Sequence, residues 1–256
     1  MQQLFLTDSH CHIHDPEFFP DGAEDIYLRS LDEGVYRMIC VGTDVRSSQL
    51  AVEFAEAHDN VWAIVGIHPH DASVGLEAVE QLRPLLSSPK VVGIGEVGLD
   101  YHYNHSSKRD QAIILHAQLT LAVEASLPVC FHIRSGFDDF WPIFNQYKLR
   151  GGVLHSFTDS LSNMEQGLSD GLMVGINGIV TFANDIASIV QHAPLNRILL
   201  ETDAPYLTPS PNRGKINESR YIRQIAEFVA QQRDISLKEV SKVTEANCDQ
   251  LYFSKK

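Results

Sequence analysis

The residues of this sequence that could do chemistry are histidines and carboxylates. Twelve histidines occur among 256 residues, and no His-rich tract accounts for them. Imidazole nitrogens and carboxylate oxygens are the ligands that Zn²⁺, Mn²⁺ and Fe²⁺ take in proteins. Nine such residues follow short apolar runs with the character of strands: Asp8, His10, His12, His68, His70, Glu96, His132, His155 and Asp203. Their types predict metal chemistry if the fold brings them together.

Six of these residues are the candidate metal ligands: His10, His12, Glu96, His132, His155 and Asp203. Six ligands exceed what one tetrahedral ion uses, so we expect two divalent ions per chain, with Zn, Mn, Fe and Mg as candidate elements. Two ions about 4 Å apart polarise a phosphoryl or carbonyl oxygen and generate hydroxide near neutral pH. Asp203 is predicted to be catalytic as well, because a carboxylate beside the ions can take a proton from water.

The spacing of His10 and His12 supports this interpretation. Alternate residues of a strand point to the same side, so these two imidazoles share one face while Cys11 points away. A lone histidine at a strand end is usually an ordinary polar residue. Core packing, however, does not predict that six candidate ligands all fall at one end of successive strands.

Five further residues are predicted to contact substrate. For His68 and His70, a role in substrate or third-metal binding stands beside simple support of the ligands. Arg134, Arg213 and Lys215 are basic residues in predicted loops at the same end of the strands. A fork-shaped guanidinium suits a phosphate oxygen, and the competing interpretation is ordinary surface charge.

The elements that must position these residues alternate along the chain. Short β-branched runs are separated by longer segments of helical period, which is the pattern of repeated βα units. Strands are predicted at 4–8, 36–42, 61–67, 91–95, 128–132, 152–155, 172–176 and 197–201. Helices are predicted near 23–33, 47–58, 73–87, 107–126, 136–147, 160–169 and 184–192. Eight strands predict an α/β (β/α)₈ barrel, whose C-terminal rim collects the strand-end residues.

The barrel accounts for the whole length as one domain, 1–256, since such barrels typically have roughly 250 residues. Two extra C-terminal helices are predicted near 217–232 and 236–252 and should pack outside the barrel. Helix N-caps are predicted at Ser47, Ser107, Ser160 and Asn184.

Composition excludes several classes of protein. A net charge of −13 argues against long-range attraction to duplex DNA, so any nucleic-acid contact must be local or metal-mediated. No stretch approaches the roughly 20 apolar residues that span a bilayer, and no secretion signal is visible, so we expect a cytoplasmic protein. The four cysteines are too sparse for a disulfide scaffold. Nothing points to an obligatory protein partner.

Across essentially its whole length the sequence resembles the TatD-type deoxyribonucleases of the amidohydrolase superfamily. The motifs that carry the resemblance are DSHCHIH at 8–14, VGIHPH at 65–70, GIGEVGLDYH at 93–102, FHIR at 131–134, LHSF at 154–157, ETDAPYL at 201–207 and NRGKINE at 212–218. The resemblance implies a distorted TIM barrel, the same six ligands, and Glu96 as a bridging, catalytic carboxylate. It also implies that Arg213 lies in a substrate-binding loop. One departure is Ile133, where the family often has Ser.

Three functions follow from these residues and from the resemblance. The first, which the resemblance implies, is a 3′→5′ exonuclease that cleaves phosphodiester bonds of single-stranded DNA with metal-activated water. The alternative is hydrolysis of a small phosphoester, or of a cyclic amide or lactone, by the same centre. The third is a metal-dependent binding or scaffold protein, which is disfavoured because an open rim leaves coordination positions free, as catalytic metal sites do.

Overall fold

Eight parallel strands form one sheet in the order of the sequence, β1 to β8. The computed structural model describes residues 4–19, 22–103, 105–183 and 186–254. The strands are β1 Leu6–Cys11, β2 Val35–Val41, β3 Val61–Val65, β4 Val91–Asp100, β5 Val129–Arg134, β6 Gly152–Leu154, β7 Met173–Ile176 and β8 Ile198–Leu200. The helices are α1 Ala23–Asp32, α2 Val45–Ala57, α3 Leu76–Leu82, α4 Lys108–Ala125, α5 Phe137–Phe144, α6 Leu161–Ser169, α7 Ala187–His192, α8 Ile222–Arg233 and α9 Leu237–Cys248.

The last strand returns to the first and nearly closes the barrel. Cys11 and Ala204 form an isolated parallel bridge just beyond β8. The backbone N–H of His12 donates to the carbonyl of Ala204 at 2.8 Å. The buried carboxylate of Asp8 accepts the N–H of Thr202 at 2.8 Å and its hydroxyl at 2.5 Å, which holds the end of β8 against β1. The predicted distorted (β/α)₈ barrel is confirmed.

Two layers of apolar side chains surround the sheet. One residue or two from each of β2 to β8 meet in a cluster inside the barrel: Ile39, Val41, Ile64, Val92, Cys130, Val153, Met173 and Leu199. Alternate residues of the same strands, such as Met38 and Val129, pack outward against the helices. Leu251 and Tyr252 join the inner cluster. The C-terminal segment was predicted to lie outside the barrel, and this end of it instead fills the interior, because the barrel offers apolar surface to cover.

Strands β1 and β4 extend further than predicted. The sequence prediction ended them at residues 8 and 95, because polar residues in one case and glycines in the other weaken strand signals. In the structure β4 continues to Asp100, paired with β5 at Gly98 and His132. Gly98 has φ 159°, and a side chain there would overlap the carbonyl of His132. Glu96 therefore lies within a strand that approaches β5 closely.

Some helix boundaries also differ. The predicted helix 73–87 is divided into the 3₁₀ turn Pro69–Val74, α3 and the 3₁₀ turn Arg83–Ser87, since Gly75 and Pro84 interrupt it. Ser47 is not an N-cap: α2 begins earlier, and Asp44 accepts the N–H of Ser47 at 2.7 Å.

Two of the other predicted caps are confirmed. Ser107 and Ser160 cap α4 and α6 through their side chains. Asn184, the remaining predicted cap, lies outside the described residues.

No helix within the described ranges is long and apolar enough to cross a membrane. All four cysteines are free and buried. The assignment of the chain to one domain, 1–256, and to the cytoplasm stays a prediction.

Candidate metal centre and active site

A cavity of about 680 Å³ opens at the C-terminal ends of the strands. Side chains from all eight strands or from the loops after them meet there, as such barrels arrange their active sites. Among its lining residues are His12, His68, His70, Glu96, Asp100, Tyr103, His132, Ile133, Arg134, His155, Asp203 and Tyr206. The predicted convergence of residues almost 200 positions apart is found.

Glu96 lies at the middle of the histidines. One carboxylate oxygen, Oε2, is 3.4 Å from His10 Nε2 and 3.9 Å from His12 Nε2. The other, Oε1, is 2.6 Å from His132 Nδ1 and 3.5 Å from His155 Nε2. His68 Nε2 is also 3.5 Å from Oε1. The two oxygens thus face two different groups of imidazoles, which is the arrangement that a bridging carboxylate requires.

Asp203 approaches three of the same imidazoles from the end of β8. Its Oδ1 is 3.5 Å from His12 Nε2, 3.7 Å from His10 Nε2 and 3.8 Å from His155 Nε2. Its backbone N–H donates to the carbonyl of His10 at 2.9 Å, and its φ is 57°. A non-glycine residue with left-handed backbone is uncommon and clusters at functional sites. The closure of the barrel therefore sets where this carboxylate points.

The outer nitrogens of two imidazoles are anchored. Nδ1 of His12 is 2.7 Å from the carbonyl oxygen of Val41, which can only accept, so Nδ1 carries the hydrogen. Nδ1 of His155 is 3.0 Å from Oε1 of the buried Glu201. Burial would lower the pKa of both imidazoles, but the neighbouring carboxylates outweigh it and raise both, that of His155 to about 10. In the deprotonated rings, both contacts leave the Nε2 lone pairs directed at the centre. Partners of this kind fix the tautomer and orientation of metal-bound histidines.

His132 lies between two carboxylates. Its Nδ1 contacts Glu96, and its Nε2 is 3.1 Å from Oδ2 of Asp100. Burial alone would lower the pKa of His132, but the hydrogen bonds with Asp100 and Glu96 outweigh it and raise that pKa to about 9. A cation bound by Glu96 and His132 would replace the proton that they share here. His132 would therefore be a ligand only in its deprotonated form.

His68 has the opposite tautomer. Its Nδ1 accepts the backbone N–H of His70 at 3.1 Å, so in the neutral ring Nε2 carries the hydrogen. That nitrogen is 3.5 Å from Oε1 of Glu96. Burial lowers the pKa of His68 to about 4, so the ring is neutral. This geometry favours His68 as a hydrogen-bond donor in the cavity over a third-metal ligand.

The donor set suits divalent cations. The side chain of Glu96 is almost completely buried, and that of Asp203 is largely buried. Among the described residues, every ionic partner of these two carboxylates is an imidazole. Burial opposes their charge, yet the surrounding histidines hold the pKa of both carboxyls below the usual range. Buried carboxylates without Lys or Arg beside them coordinate metals in many proteins. All six predicted ligands meet here, and their role as ligands stays a prediction.

The three predicted phosphate-binding residues lie in different places. Arg134 lines the cavity, with its guanidinium 4.9 Å from the ring centre of Tyr103. The guanidinium of Arg213 is stacked 3.9 Å from the ring centre of Phe182. Neither Arg213 nor Lys215 is among the residues that line the cavity. The structure thus brings one of the three to the site.

Sequence reasoning missed two carboxylates that hold the histidines in place. The buried Asp100 is 3.0 Å from His70 Nε2 as well as contacting His132. Glu201 contacts His155 and accepts the N–H of Ser156 at 2.6 Å. Asp100 lies in the motif GIGEVGLDYH, four residues after Glu96, and Glu201 lies in ETDAPYL, two residues before Asp203. These positions in the motifs were the signal that could have identified both residues.

Comparison with known proteins identifies the family. The family model for TatD-related DNases matches residues 7–253. The chain belongs to the TatD-related DNase family. It is 34% identical over 252 residues to an uncharacterized metal-dependent hydrolase of Bacillus subtilis, covering 96% of this chain and 98% of the relative. It is 35% identical over 239 residues to the 3′-5′ ssDNA/RNA exonuclease TatD of Klebsiella pneumoniae, covering 90% and 91%. The predicted family and enzyme class, a metal-dependent hydrolase, are confirmed.

Solved structures agree with this TatD-family assignment. The crystal structure of a TatD homologue from Escherichia coli K12 superposes with a TM-score of 0.91 at 28% identity and covers 98% of each chain. A TatD-family hydrolase from Entamoeba histolytica, at 23% identity and a TM-score of 0.86, shares the fold.

A first prediction concerns metal content. After reconstitution, the protein is expected to bind about two divalent ions per chain, because the six candidate ligands exceed the needs of one tetrahedral ion. Elemental analysis of gel-filtered protein checks the ratio for each metal in turn. A folded protein that holds less than one ion per chain under all of these conditions would contradict a two-ion centre.

Proposed function

We propose that this protein is a metal-dependent 3′→5′ exonuclease that hydrolyses phosphodiester bonds of single-stranded nucleic acid. The observation that carries the proposal is Glu96, whose two oxygens face separate groups of imidazoles inside an open cavity. Two divalent ions, of Zn, Mn, Fe or Mg, are proposed at this position. Relatives named 3′-5′ ssDNA/RNA exonuclease support the substrate and the polarity.

Different residues of the chain have different roles in the proposed hydrolysis. Divalent ions held by the six candidate ligands would supply a polarised phosphoryl oxygen and a water of lowered pKa. Asp203 takes the proton from the attacking water, since its carboxylate lies at the cavity surface. His68 presents its N–H and Arg134 its guanidinium to the phosphate oxygens. Glu201 and Asp100 keep the rings of His155 and His132 oriented.

Hydrolysis of a small phosphoester, a cyclic amide or a lactone is not favoured. Relatives whose names give a substrate include 3′-5′ ssDNA/RNA exonucleases. An arginine in the cavity also suits a phosphate better than a neutral amide.

The test is an activity screen of the metal-loaded protein. We expect a single-stranded oligonucleotide labelled at its 5′ end to yield a ladder of products shortened one nucleotide at a time. The same strand labelled at its 3′ end should release labelled mononucleotide at once. Duplex DNA, a phosphomonoester and a cyclic amide serve as comparison substrates. Release of the 5′ label first would contradict the polarity, and turnover of the cyclic amide alone would contradict the function.

A second prediction separates the basic residues. Arg134→Ala is expected to raise KM for single-stranded DNA about five- to tenfold, because a charge-assisted bond to phosphate is lost at a partly hydrated site. Arg213→Ala and Lys215→Ala are expected to change KM less, since neither side chain lines the cavity. Steady-state kinetics at fixed ionic strength measures all three. A larger effect at Arg213 than at Arg134 would place the strand over the loop at 212–218 instead.

A further inference from the structure

Two exposed tyrosines on the cavity wall take no part in the proposed chemistry. Tyr103 is 43% exposed and Tyr206 is 48% exposed, and both line the cavity. A single exposed aromatic side chain on a protein surface needs no explanation. Two in one cavity, beside a centre that acts on nucleic acid, call for a ligand with flat apolar faces.

The two rings stand on different sides of the metal centre. Tyr103 follows β4 and Tyr206 follows β8, and the sheet order places these strands four positions apart. In an eight-stranded barrel, strands four positions apart lie across from each other. Tyr206 belongs to the side of His12, and Tyr103 to the side of His70. Glu96 lies between the two sides.

Tyr206 is held by its backbone, while its ring stays accessible. Its N–H donates to the carbonyl of Asp203 at 2.7 Å, and Asn217 donates to its carbonyl at 2.5 Å. Its aromatic contacts among the described residues are with Phe18, at 5.4 Å and 72°, and with His12, at 6.4 Å and 71°. Neither ring lies parallel to Tyr206. The same turn that sets Asp203 therefore also sets this tyrosine.

Tyr103 has an equivalent anchor on the other side. Its N–H donates to Oδ1 of Asp100 at 3.0 Å, the carboxylate whose other oxygen contacts His132. The guanidinium of Arg134 lies 4.9 Å from its ring centre, and His70 meets it at 84°. The ring of His105 is tilted by 35° from that of Tyr103, with 5.8 Å between ring centres. An arginine over a tyrosine ring presents charge to a phosphate next to a surface for a base.

The charge of the chain favours contacts with the bases over contacts with many phosphates. The net charge is −13, and Arg134 is the one Lys or Arg among the residues found to line the cavity. Nucleases that bind through many phosphate contacts use Lys and Arg for affinity. Here the affinity for a strand must come from the metal centre and from contacts with the bases. Stacking of bases on aromatic rings is the sequence-tolerant source of affinity for single strands.

We propose that Tyr103 and Tyr206 are stacking platforms, one for each of the two bases that flank the scissile phosphate. This inference rests on the proposed function and adds the reason for single-strand specificity. In a duplex both bases are paired and stacked within the helix, so neither offers a free face to a tyrosine. Any base has a flat face, so the platforms select single strands without selecting sequence.

The experiment compares two strands on the metal-loaded full-length protein. One is a single-stranded oligonucleotide, and the other is the same strand with abasic sugars at its two 3′-terminal positions. The ratio of kcat/KM for the two strands measures the preference for bases. Tyr103→Ala and Tyr206→Ala are each expected to reduce this ratio roughly 5- to 100-fold, the range that base stacking on an aromatic ring supplies. Tyr103→Phe and Tyr206→Phe keep the ring and should keep most of the preference.

Phe5→Ala is the matched control, because Phe5 is 46% exposed but precedes β1 at the opposite end of the barrel. It should leave the ratio at its wild-type value. Alanine variants that keep the wild-type ratio, or that slow both strands equally, would overturn the platforms while leaving the exonuclease intact.

The fluorescence of 2-aminopurine, placed at the 3′-terminal position of the strand, measures base stacking without the need for cleavage. If the wild-type protein cleaves no strand but quenches this base, and the alanine variants do not, the platforms stand and the exonuclease proposal fails. If the wild-type protein neither cleaves nor quenches, the platform proposal is overturned as well.

Discussion

Asp203→Asn is expected to lower kcat on single-stranded DNA by about 10² to 10⁴, the usual cost of losing a positioned general base. Asparagine keeps the volume and one oxygen that can reach a metal, but it has no basic carboxylate. It also tolerates the left-handed backbone at this position, where φ is 57°, better than most residues. The variant should therefore fold and retain much of its metal. The measurement is kcat beside metal content on the same sample.

The two measurements distinguish two roles of Asp203. Near wild-type kcat with metals bound would contradict the general-base role. Activity that falls only in proportion to metal content would make Asp203 a ligand and nothing more. Asp203→Ala is less informative, because alanine at a left-handed position adds backbone strain and removes the contacts with three imidazoles.

Glu96→Gln is expected to remove most of the metal and to lower kcat/KM by more than about 100-fold. Even the partners behind metal ligands contribute about 10- to 100-fold in metal affinity, so a carboxylate that is predicted to bridge two ions should contribute more. Glutamine has the same size, but its amide carries no charge and only one of its two polar atoms can bind a metal. Elemental analysis, kcat/KM and the melting temperature of the same preparation are compared with the wild type.

Glu201→Gln is the matched control for Glu96→Gln. Both residues are buried glutamates in the same site, but Glu201 contacts a single imidazole, that of His155, from behind. This variant is expected to lose only about 10- to 100-fold in metal affinity. Equal metal loss in the two variants would contradict Glu96 as the bridging carboxylate. Retention of two ions by Glu96→Gln would contradict it as a ligand.

The site was largely predictable because a parallel barrel gathers the ends of its strands. Once strands were assigned from apolar runs, histidines and carboxylates at their C-terminal ends had to share one rim, whatever their distance in sequence. His10 and Asp203 are 193 positions apart and still meet, with 2.9 Å between the backbone N of Asp203 and the carbonyl oxygen of His10 and 3.7 Å between their side-chain polar atoms. Small errors in strand ends did not matter, since the direction of each strand was unaffected by them.

The residues that reasoning from the sequence missed, or placed less well, depend on pairwise geometry. Asp100 was overlooked because β4 was expected to end at residue 95, and only pairing with β5 carries the strand on to it. Arg213 was expected near substrate because it is basic and in a loop of the rim. Where a long side chain rests in a loop depends on its neighbours, and here Phe182 holds it.

The sequence by itself determined the barrel, the family and the group of six candidate ligands, because strand periodicity and residue type are local properties that survive any detail of packing. Tertiary structure alone decided which nitrogen each imidazole of the site directs at the cavity with a lone pair or with a hydrogen. Val41 fixes the tautomer of His12, and the backbone of His70 fixes the opposite one in His68. A ring nitrogen takes its hydrogen according to the group it faces. That group comes from another strand or from the next turn of the same chain, so the tautomer cannot be predicted from residue types alone.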